Sequence, residues 1–552
     1  MNTALMVGKQ VLTALISLAF VGYLARKLGV SVWGELQASL AVTGMIAVVA
    51  GIGVRGYLAR EVAVRPDLGA EHVGSALAIR GGMGALLLAV TAIVACFMTS
   101  SLGAVLIAIA AASQVATLLY TTIYLAFEAH ERLKFIAYSE LAARLFVIAL
   151  AMGLLALGGG VIAAAVALAF GNVLQCVLSW YFLRAHFYRP VLRLGVKELL
   201  RIARLAVPIG LVGALLMALQ QADRVLLNAL ANEREVGLYS AAWVLSEQFR
   251  LLPDVFLGAA FAAAVRLHTN DQRGFGELYK NCMVAALLLG LPLAAGTTLL
   301  APDVIDLVYG SRAGYAPAAG VLPLLMMQVP LAFAFQVASL PLLAARREGM
   351  LVKILFGALV VNVVVDVALI PIWGAKGSAY GAMSATTLTL AGCVWQSWRW
   401  VRLVPVRQIL AMVLATALMT VAAYGARMIG GMWIAIAVGT ASYAGLALAL
   451  RAVSLDDLRL LLRRQPPASL PPQPVQGGSP ASVPPRSLAG RGTESVPPPP
   501  LTPEEISKLS SRSSSGGGPT QETRRARPSA ENMERETLSP SSVRPRPAAS
   551  TT

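Results

Sequence analysis

Fourteen apolar stretches, each long enough to cross a bilayer, lie between residues 3 and 451 of this chain. A helix needs about 20 mainly apolar residues to span the hydrocarbon core, and helices and closed barrels alone satisfy their backbone hydrogen bonds there. We therefore predict an all-α polytopic membrane protein with fourteen transmembrane helices. The predicted spans are residues 3–25, 38–59, 74–98, 102–127, 138–157, 160–182, 199–220, 236–263, 282–301, 319–344, 351–371, 377–398, 407–426 and 432–451.

The composition agrees with a membrane protein, since 57% of the residues are hydrophobic and 13% are charged. The first apolar stretch contains Lys9 and lacks a small-residue cleavage site followed by a soluble domain. We expect it to remain as a span instead of being removed as a signal peptide. The four cysteines lie in separate apolar stretches without metal-ligand spacing, so we expect core residues, no metal site and no cofactor.

The loops predict the orientation. One set of alternate loops and helix ends holds 21 Lys and Arg residues and the opposite set holds 7. Because cytoplasmic loops carry the excess of positive charge, both termini are predicted to be cytoplasmic. The basic excess is then explained by topology and lipid contact, and nucleic acid is not an expected partner.

Composition and spacing divide the chain into five predicted regions. Residues 1–190 form a first lobe of six spans, residues 191–402 a second lobe of six, and residues 403–453 the last two spans. Residues 454–464 form a helix at the membrane surface. Residues 465–552 hold eighteen of the thirty prolines and form a disordered cytoplasmic tail.

One segment of the tail has the signature of a helix start. Thr502 stands as the N-cap, Pro503 follows at the first helical position, and Glu505 completes a capping box. Leu501 and Ile506 are placed to pack against each other. The segment Thr502–Ile506 is therefore a candidate for folding on a cytoplasmic partner, with an ordinary disordered turn as the alternative.

A faint internal repeat of about 210 residues supports the two lobes. Trp33–Ala38 follows the first span as Val236–Ala241 follows the seventh, and Leu157–Ala164 matches Trp373–Tyr380 in the same way. Each lobe has an even number of spans, so both lobes enter the membrane in the same sense. We expect two six-helix lobes around a central cavity, with two additional C-terminal helices.

Pieces spread from the first span to the twelfth resemble the polysaccharide exporter and oligosaccharide-lipid flippase family. This family shares a superfamily with the lipid II flippase and the multidrug and toxin extruders. The resembling pieces are Leu28–Gly29, Trp33–Gly34, Gln221–Leu227, Val236–Ala242, Tyr309–Gly310, Tyr315, Ala318, Asn362 and Ile370–Ala379. The resemblance implies two bundles that alternate between inward-open and outward-open states while a polyprenyl-diphosphate-linked oligosaccharide crosses.

Cations inside the spans suit such a cargo, because a diphosphate must cross a low-dielectric layer. Lys9, Arg55 and Arg250 lie in spans one, two and eight, which face the cleft if the lobes are arranged as the resemblance implies. The alternatives are snorkelling for Lys9 and a position near the helix end for Arg55. For Arg250 the alternative is neutralisation by Glu247 and Asp254 on the same helical face. Pro253 predicts a bend in that helix, which suits a gate or a static kink.

Two further pairs are candidates for coupling and gating. Asn362 and Asp366 are four residues apart on one face of span eleven and are candidates to carry a coupling proton or sodium ion, the alternative being a hydrogen bond between lobes. Asp366 departs from the family pattern, so no role is inherited for it. Asp223 and Arg224 end span seven, as the corresponding pair does in the family. They form a candidate outer gate or a helix-end contact that fixes the loop.

No enzymatic motif is present: the sequence has no phosphate-cradling loop, zinc spacing or nucleophile elbow. We therefore expect no enzyme, although an integral-membrane glycosyltransferase or ligase remains the alternative from another class. Among transporters, a multidrug or cation antiporter and a lipid II flippase stay open. Lipid-linked substrate and membrane lipids are the expected partners.

Overall fold

A computed structural model describes residues 2–51, 69–96, 101–191, 196–398 and 406–450. Every element in these ranges is helical, and the fourteen α-helices are numbered here in chain order. They are α1 Asn2–Leu28, α2 Val30–Gly51, α3 Gly69–Cys96, α4 Ser101–Ala129, α5 Lys134–Ala156, α6 Gly160–His186, α7 Val196–Leu230, α8 Glu233–Asn270, α9 Gln272–Leu299, α10 Ala301–Tyr309, α11 Leu322–Ala344, α12 Glu348–Trp373, α13 Ala375–Ser397 and α14 Val406–Ala449. Two short 3₁₀ helices, Ser311–Ala313 and Ala316–Gly320, join α10 to α11.

The predicted fold class is confirmed: the protein is an all-α polytopic membrane protein. Among the described residues, nine helices are long and apolar enough to cross a membrane. One of them, α14, carries non-helical backbone at Gly430 and Gly431, so it consists of two apolar arms joined at a kink. The total of fourteen spans remains a prediction.

Short connections make successive helices run in opposite directions, which gives the bundle two ends. We call the end with Gly29, Asn232, Gly374 and Gly431 the seal end, and the opposite end, with Lys134 and Arg273, the basic end. Local capping fixes several of these turns. The Asn232 side chain accepts a hydrogen bond from the backbone N–H of Glu235 at 3.1 Å, which caps α8 at the seal end.

The connection between α1 and α2 is shorter than the sequence predicts. The predicted second span begins at residue 38, but α2 begins at Val30, and Gly29 alone, with φ of +77°, separates it from α1. The apolar count missed this turn because Glu35 and Gln37 interrupt the run. Trp33 and Leu36 are nevertheless buried, since the first turns of α2 pack inside the protein instead of lying in a loop.

One hydrophobic core connects the first half of the bundle (α1–α6) to the second half (α7–α13). It runs from Phe20 and Leu24 in α1, through Trp33 in α2, to Tyr239 in α8 and Cys393 in α13. A separate aromatic cluster at the basic end of the first half includes Phe127 and Phe135. The two halves are therefore packed against each other, and α14 packs outside them against α9 through Val284, Met412 and Ala447.

Several predicted regions lie outside the described residues. These are the membrane-surface helix at 454–464, the tail at 465–552 and the Thr502–Ile506 segment within it. The division into lobes at residues 190 and 402 also remains a prediction.

Candidate functional site

Two carboxyl groups lie side by side inside the second half, in a cluster that we call the acidic centre: Asp223, Tyr239, Asn362 and Asp366. Asp223 lies near the seal end of α7 and is 4% exposed. Its carboxylate accepts a hydrogen bond from the amide of Asn362 at 2.9 Å and another from the hydroxyl of Tyr239. Three helices, α7, α8 and α12, therefore converge on this one carboxyl group.

Asp366 is the unusual member of the acidic centre. It is fully buried, and neither of its carboxyl oxygens has a hydrogen-bond donor among the described residues. The carboxyl lies beside that of Asp223, and the Oδ1 atom of Asn362 also lacks a partner. Asn362 and Asp366 share one face of α12, as their spacing predicts.

Glycines on α13 create the space for Asp366. A Cβ atom on Gly381 would overlap the Asp366 carboxyl, and one on Gly377 would overlap the backbone carbonyl of Leu369. The turn between α12 and α13 is held by Gly374, with φ of +53°. The Ala375 N–H beside it donates to the Glu235 carboxylate at 2.7 Å. The close approach of these two helices thus depends on small residues at the contact.

The electrostatics of the acidic centre favour an additional positive charge. Two ionised carboxylates side by side in a low-dielectric interior repel each other, and each loses its hydration. Arg224 is next to Asp223 in sequence, but its guanidinium donates its hydrogen bonds to Gln37 and Gln221. A proton or a small cation between Asp223 and Asp366 neutralises one charge and satisfies the free oxygens.

Arg224 connects the two halves instead of pairing with Asp223. Its guanidinium is buried and donates to the side chains of Gln221 at 2.7 Å and Gln37 at 3.3 Å. It also lies 4.3 Å from the centroid of the Trp243 ring. Gln37 belongs to α2, so this contact crosses from the second half to the first. The predicted Asp223–Arg224 pair is thus adjacent in sequence, but each side chain has its own partners.

Close backbone contacts join the halves at the seal end, and we call this interface the seal. A Cβ atom on Gly34 would overlap the carbonyl of Glu233, and one on Gly237 would overlap the carbonyl of Val30. Arg26 at the end of α1 donates to the carbonyl of Val308 at 2.9 Å, at the C-terminus of α10. The Arg26 side chain and the close backbone contacts at Gly34 and Gly237 therefore hold the two halves together at the seal end.

Two stacked tyrosines support the seal from the second half. The rings of Tyr309 and Tyr315 are parallel to within 30° and 4.8 Å apart, and both residues are fully buried. The Tyr315 hydroxyl donates to the carbonyl of Ala25 at 3.1 Å, and the Tyr309 hydroxyl to that of Ala241 at 2.8 Å. The segment after α10 is thereby fixed to α1 and α8 together.

The predicted cation set lies mostly beyond what the structure describes. Arg55 is outside the described residues. Lys9 is in the basic-end half of α1 and Arg250 is near the middle of α8, but the described side chains do not include theirs. Pro253 and Asp254 follow in α8 in the same undescribed stretch, and Glu247 is partly buried one turn before Arg250. The shared cationic cavity therefore stays a prediction.

A large apolar groove lies between α9 and α14. Its volume is about 750 Å³. The walls are Leu288, Pro292, Leu293 and Leu300 on one side and Met419, Ala435, Gly439 and Tyr443 on the other. Phe249 of α8 also lines it, and this residue precedes Arg250 in the chain. The groove thus runs from the middle of α8 towards the seal end along a surface of apolar side chains.

Sequence reasoning missed several of these contacts. Tyr239, Tyr309 and Tyr315 were noted as pieces of a family pattern, without the partners that make them important. The charge count includes Arg26 only as one of the seven basic residues in the loops opposite the cytoplasmic ones. Two of the partners are more than 200 positions away, Val308 for Arg26 and Ala25 for Tyr315, and no local signal identifies them.

We compared the sequence and the structure with those of known proteins. No curated protein sequence matches the chain significantly. The structure is similar to a lipid II flippase, MurJ, in an inward closed conformation, with a TM-score of 0.62 and 14% identity, over 82% of this chain and 100% of the other. It is also similar to an inward-facing multidrug resistance MATE family transporter of the MOP superfamily, with a TM-score of 0.59 and 16% identity, over 70% and 94%.

The same kind of transporter in an outward-facing conformation gives a TM-score of 0.52 and 18% identity, over 71% of this chain and 93% of the other. The proteins in these comparisons are transporters. A family model described as "Polysaccharide biosynthesis protein" matches residues 1–265. The predicted resemblance is therefore confirmed: the first 265 residues match the polysaccharide biosynthesis protein family, and the chain has the fold of MOP superfamily transporters.

Proposed function

We propose that this protein is a flippase that moves a polyprenyl-diphosphate-linked oligosaccharide across the bacterial inner membrane by alternating access. The observation that carries the proposal is the apolar groove between α9 and α14, about 750 Å³ in volume. It supports a cargo with a long hydrocarbon chain better than a small soluble drug. The match of residues 1–265 to a polysaccharide biosynthesis family supports a glycan as the head of that cargo.

The groove gives the cargo's chain a path beside the protein. Apolar walls and exposure to lipid allow a polyprenyl chain to stay in an apolar environment while the headgroup moves. Phe249 begins the groove in α8, and Arg250 follows it in the chain. We propose that the diphosphate attached to a chain in the groove is bound by a cationic cavity formed by Lys9, Arg55 and Arg250.

The seal is proposed as the outer gate. Positive-inside topology places the seal end outside the cell and the basic end in the cytoplasm. With the seal closed, we propose that the predicted cationic cavity opens to the cytoplasm. Arg224 and Arg26 are the gate residues that must release Gln37 and the end of α10 when the halves part at that end.

The acidic centre is proposed as the site of energy coupling. Asp366 and Asn362, with Asp223, hold the unpaired oxygens that suit a proton or a sodium ion. Asp223 immediately precedes Arg224 on α7, so occupancy of the centre changes the charge beside a gate residue. Ion binding and opening of the seal are thereby linked through one turn of one helix.

The test is transport by the purified full chain in vesicles, with a fluorescent lipid-linked oligosaccharide that an impermeant reagent quenches in the outer leaflet. We expect translocation of this lipid, and a loss of at least about tenfold for Arg250→Gln, the loss of one charge-assisted contact. Arg266→Gln is the matched control, because Arg266 is exposed on the same helix at the basic end.

Competing cargoes decide between the alternatives. Faster movement of lipid II than of the glycan lipid would make the protein a lipid II flippase, a possibility that the structural similarity to MurJ favours. Uptake of an organic cation with no movement of either lipid would identify an antiporter. Glycan transfer without translocation would identify a glycosyltransferase or ligase, and each result contradicts the proposed function.

The gate is tested separately. Gly34→Val places a branched side chain against the carbonyl of Glu233, so the seal cannot close. We expect transport to stop while the protein still inserts and purifies. Gly153→Val is the control, because a Cβ atom at Gly153 meets no atom within 4 Å. Equal transport by both variants would contradict the proposed gate.

A further inference from the structure

The groove ends at the seal end beside an ion pair that the proposed mechanism does not use. Leu299, Leu300 and Val304 line the groove where α9 passes into α10, and Ala423 lines it on α14. Arg427 is one helical turn beyond Ala423 on the same face of α14. Its side chain therefore stands at the seal-end mouth of the groove.

Arg427 is held by two oxygen groups of the opposite wall. Its guanidinium forms an ion pair with the Asp303 carboxylate at 2.8 Å and donates to the carbonyl of Leu299 at 3.3 Å. Both charged side chains are partly open to the surroundings, with 28% of Arg427 and 34% of Asp303 exposed. An anion arriving along the groove can reach this guanidinium without a rearrangement of the core.

We propose that Arg427 is a binding site for the diphosphate of a polyprenyl-diphosphate lipid, and that Asp303 is the group that the diphosphate displaces. The proposal rests on the function proposed above, in which the polyprenyl chain lies in the groove. The site takes the headgroup at the outer leaflet after it has crossed, before the lipid leaves the protein.

The physical basis is an exchange of anionic partners. A partly exposed ion pair contributes little to stability, about 0–1 kcal/mol, so the pair with Asp303 breaks easily. A diphosphate offers more negative charge and the oxygen geometry that a guanidinium binds in a bidentate manner. When the lipid leaves, Asp303 neutralises Arg427 again, which prevents the cation from retaining the product.

The charge distribution at this end of the protein favours this role. By the positive-inside prediction the seal end carries few basic residues, so a cation at the groove mouth is not explained by topology. A phosphate attached to a chain in the groove is delivered to Arg427 at high effective concentration. Free diphosphate has no such chain and gains no such advantage.

The experiment measures binding of four probes to the full-length protein in nanodiscs. The probes are a long-chain polyprenyl diphosphate, the uncharged polyprenol of the same length, phosphatidylglycerol and inorganic diphosphate. We expect polyprenyl diphosphate to bind most tightly, and Arg427→Gln to weaken it about tenfold, the effect of one charge-assisted contact. The same variant leaves binding of polyprenol unchanged.

Opposite shifts separate a binding site from a structural contact. Asp303→Asn removes the competing anion, so it strengthens binding of polyprenyl diphosphate by severalfold, whereas a merely structural pair would weaken it. Arg427→Lys keeps part of the affinity, because the charge remains without the bidentate geometry. Arg273→Gln is the matched control, since Arg273 forms an exposed ion pair with Glu277 at the basic end.

Each result has a defined meaning. Unchanged polyprenyl diphosphate binding by Arg427→Gln, with loss of binding by Arg250→Gln, overturns the site but leaves the proposed flippase intact. Equal weakening of phosphatidylglycerol binding shows a general lipid headgroup site and overturns the assignment to the cargo. Tight binding of inorganic diphosphate would equally overturn it. Failure of every variant and the wild type to bind polyprenyl diphosphate contradicts the proposed function itself.

Discussion

The first half of the bundle contains a chain of neutral hydrogen-bonding side chains between α4, α5 and α6, whereas the second half encloses two adjacent carboxyl groups. Gln175 of α6 donates to the Tyr124 hydroxyl of α4 at 2.6 Å, and Tyr124 meets Ser139 of α5 at 3.1 Å. In the second half, Asp223 takes donors from Tyr239 and Asn362 and lies beside Asp366. The chain in the first half is uncharged, and the pair in the second half consists of two acidic groups.

This difference separates a static network from a switchable one. A neutral chain of hydrogen bonds has the same energy whether or not ions are present, and it fixes the packing of α4, α5 and α6. Two adjacent carboxyls change their energy with every proton or cation that binds. In the proposed mechanism an ion gradient therefore acts on the second half, and the first half provides the surface against which the seal closes.

Asp366→Asn is expected to have the largest effect on this comparison. The amide removes one of the two carboxyl groups of the acidic centre and leaves Asp223 without an acidic neighbour. Transport that is driven by a proton or sodium gradient should fall by about 100-fold or more, because the change in charge on ion binding is lost. The measurement is gradient-driven flipping in vesicles, with proton and sodium gradients applied separately.

Asp306→Asn is the control for this prediction, since Asp306 is an exposed aspartate on α10. It should transport as the wild type does. Full gradient-driven transport by Asp366→Asn would show that the acidic centre is a structural contact between helices.

Gly381→Ala should have the next largest effect, through packing alone. The new methyl group overlaps the Asp366 carboxyl and pushes it from its place beside Asp223. We expect a loss of stability of about 1–3 kcal/mol from overpacking and a weaker response to the ion gradient. Gly357→Ala on α12 meets no atom within 4 Å and should be neutral in both measurements. If the two variants behave alike, the acidic centre tolerates displacement and our account of its geometry is wrong.

Tyr239→Phe is expected to have an intermediate effect, confined to the ion dependence. It removes one donor from Asp223 and leaves a buried carboxylate with less stabilisation, at a cost of about 1–3 kcal/mol. The ion concentration that gives half-maximal transport should shift by about tenfold, while maximal transport stays close to normal. A lower maximal rate with an unchanged ion dependence would instead place Tyr239 in the seal.

The sequence predicted the fold class well and the acidic centre in part. Apolar length gives the helices directly, and the four-residue spacing of Asn362 and Asp366 places both on one helical face. For Asp223 and Arg224 the sequence leaves an outer gate and a helix-end contact open, and it does not show Asp366 as the partner of Asp223, because adjacent charges in a sequence are easily taken for a pair. A helix directs adjacent residues about 100° apart, so one faces Tyr239 and the other faces Gln37.

The start of α2 shows the other limit. A count of apolar residues places Trp33 and Leu36 in a polar loop, because Glu35 and Gln37 interrupt the run. Burial of these residues follows from contacts with α7 and α8, about 200 positions away, such as Gly34 with Glu233. Long-range contacts of this kind form the seal, and the hydropathy of the sequence does not identify them.

Tyr124→Phe should have the smallest effect, and it tests the first half of the comparison. The variant removes the hydroxyl that joins Gln175 to Ser139, so the Gln175 amide loses its partner in a buried position. We expect a destabilisation of about 1 kcal/mol, seen as a decrease of about 2 °C or less in the melting temperature of the purified protein. Transport and its ion dependence should stay at the wild-type level, because no charge changes near the acidic centre.

The double variant Tyr124→Phe with Gln175→Leu removes the Gln175 donor as well. It should lose little further stability, since the pair acts as a unit. A shift in the ion dependence of Tyr124→Phe comparable to that of Tyr239→Phe would mean that the two interiors are coupled, and that the first half takes part in ion binding instead of serving as a fixed support.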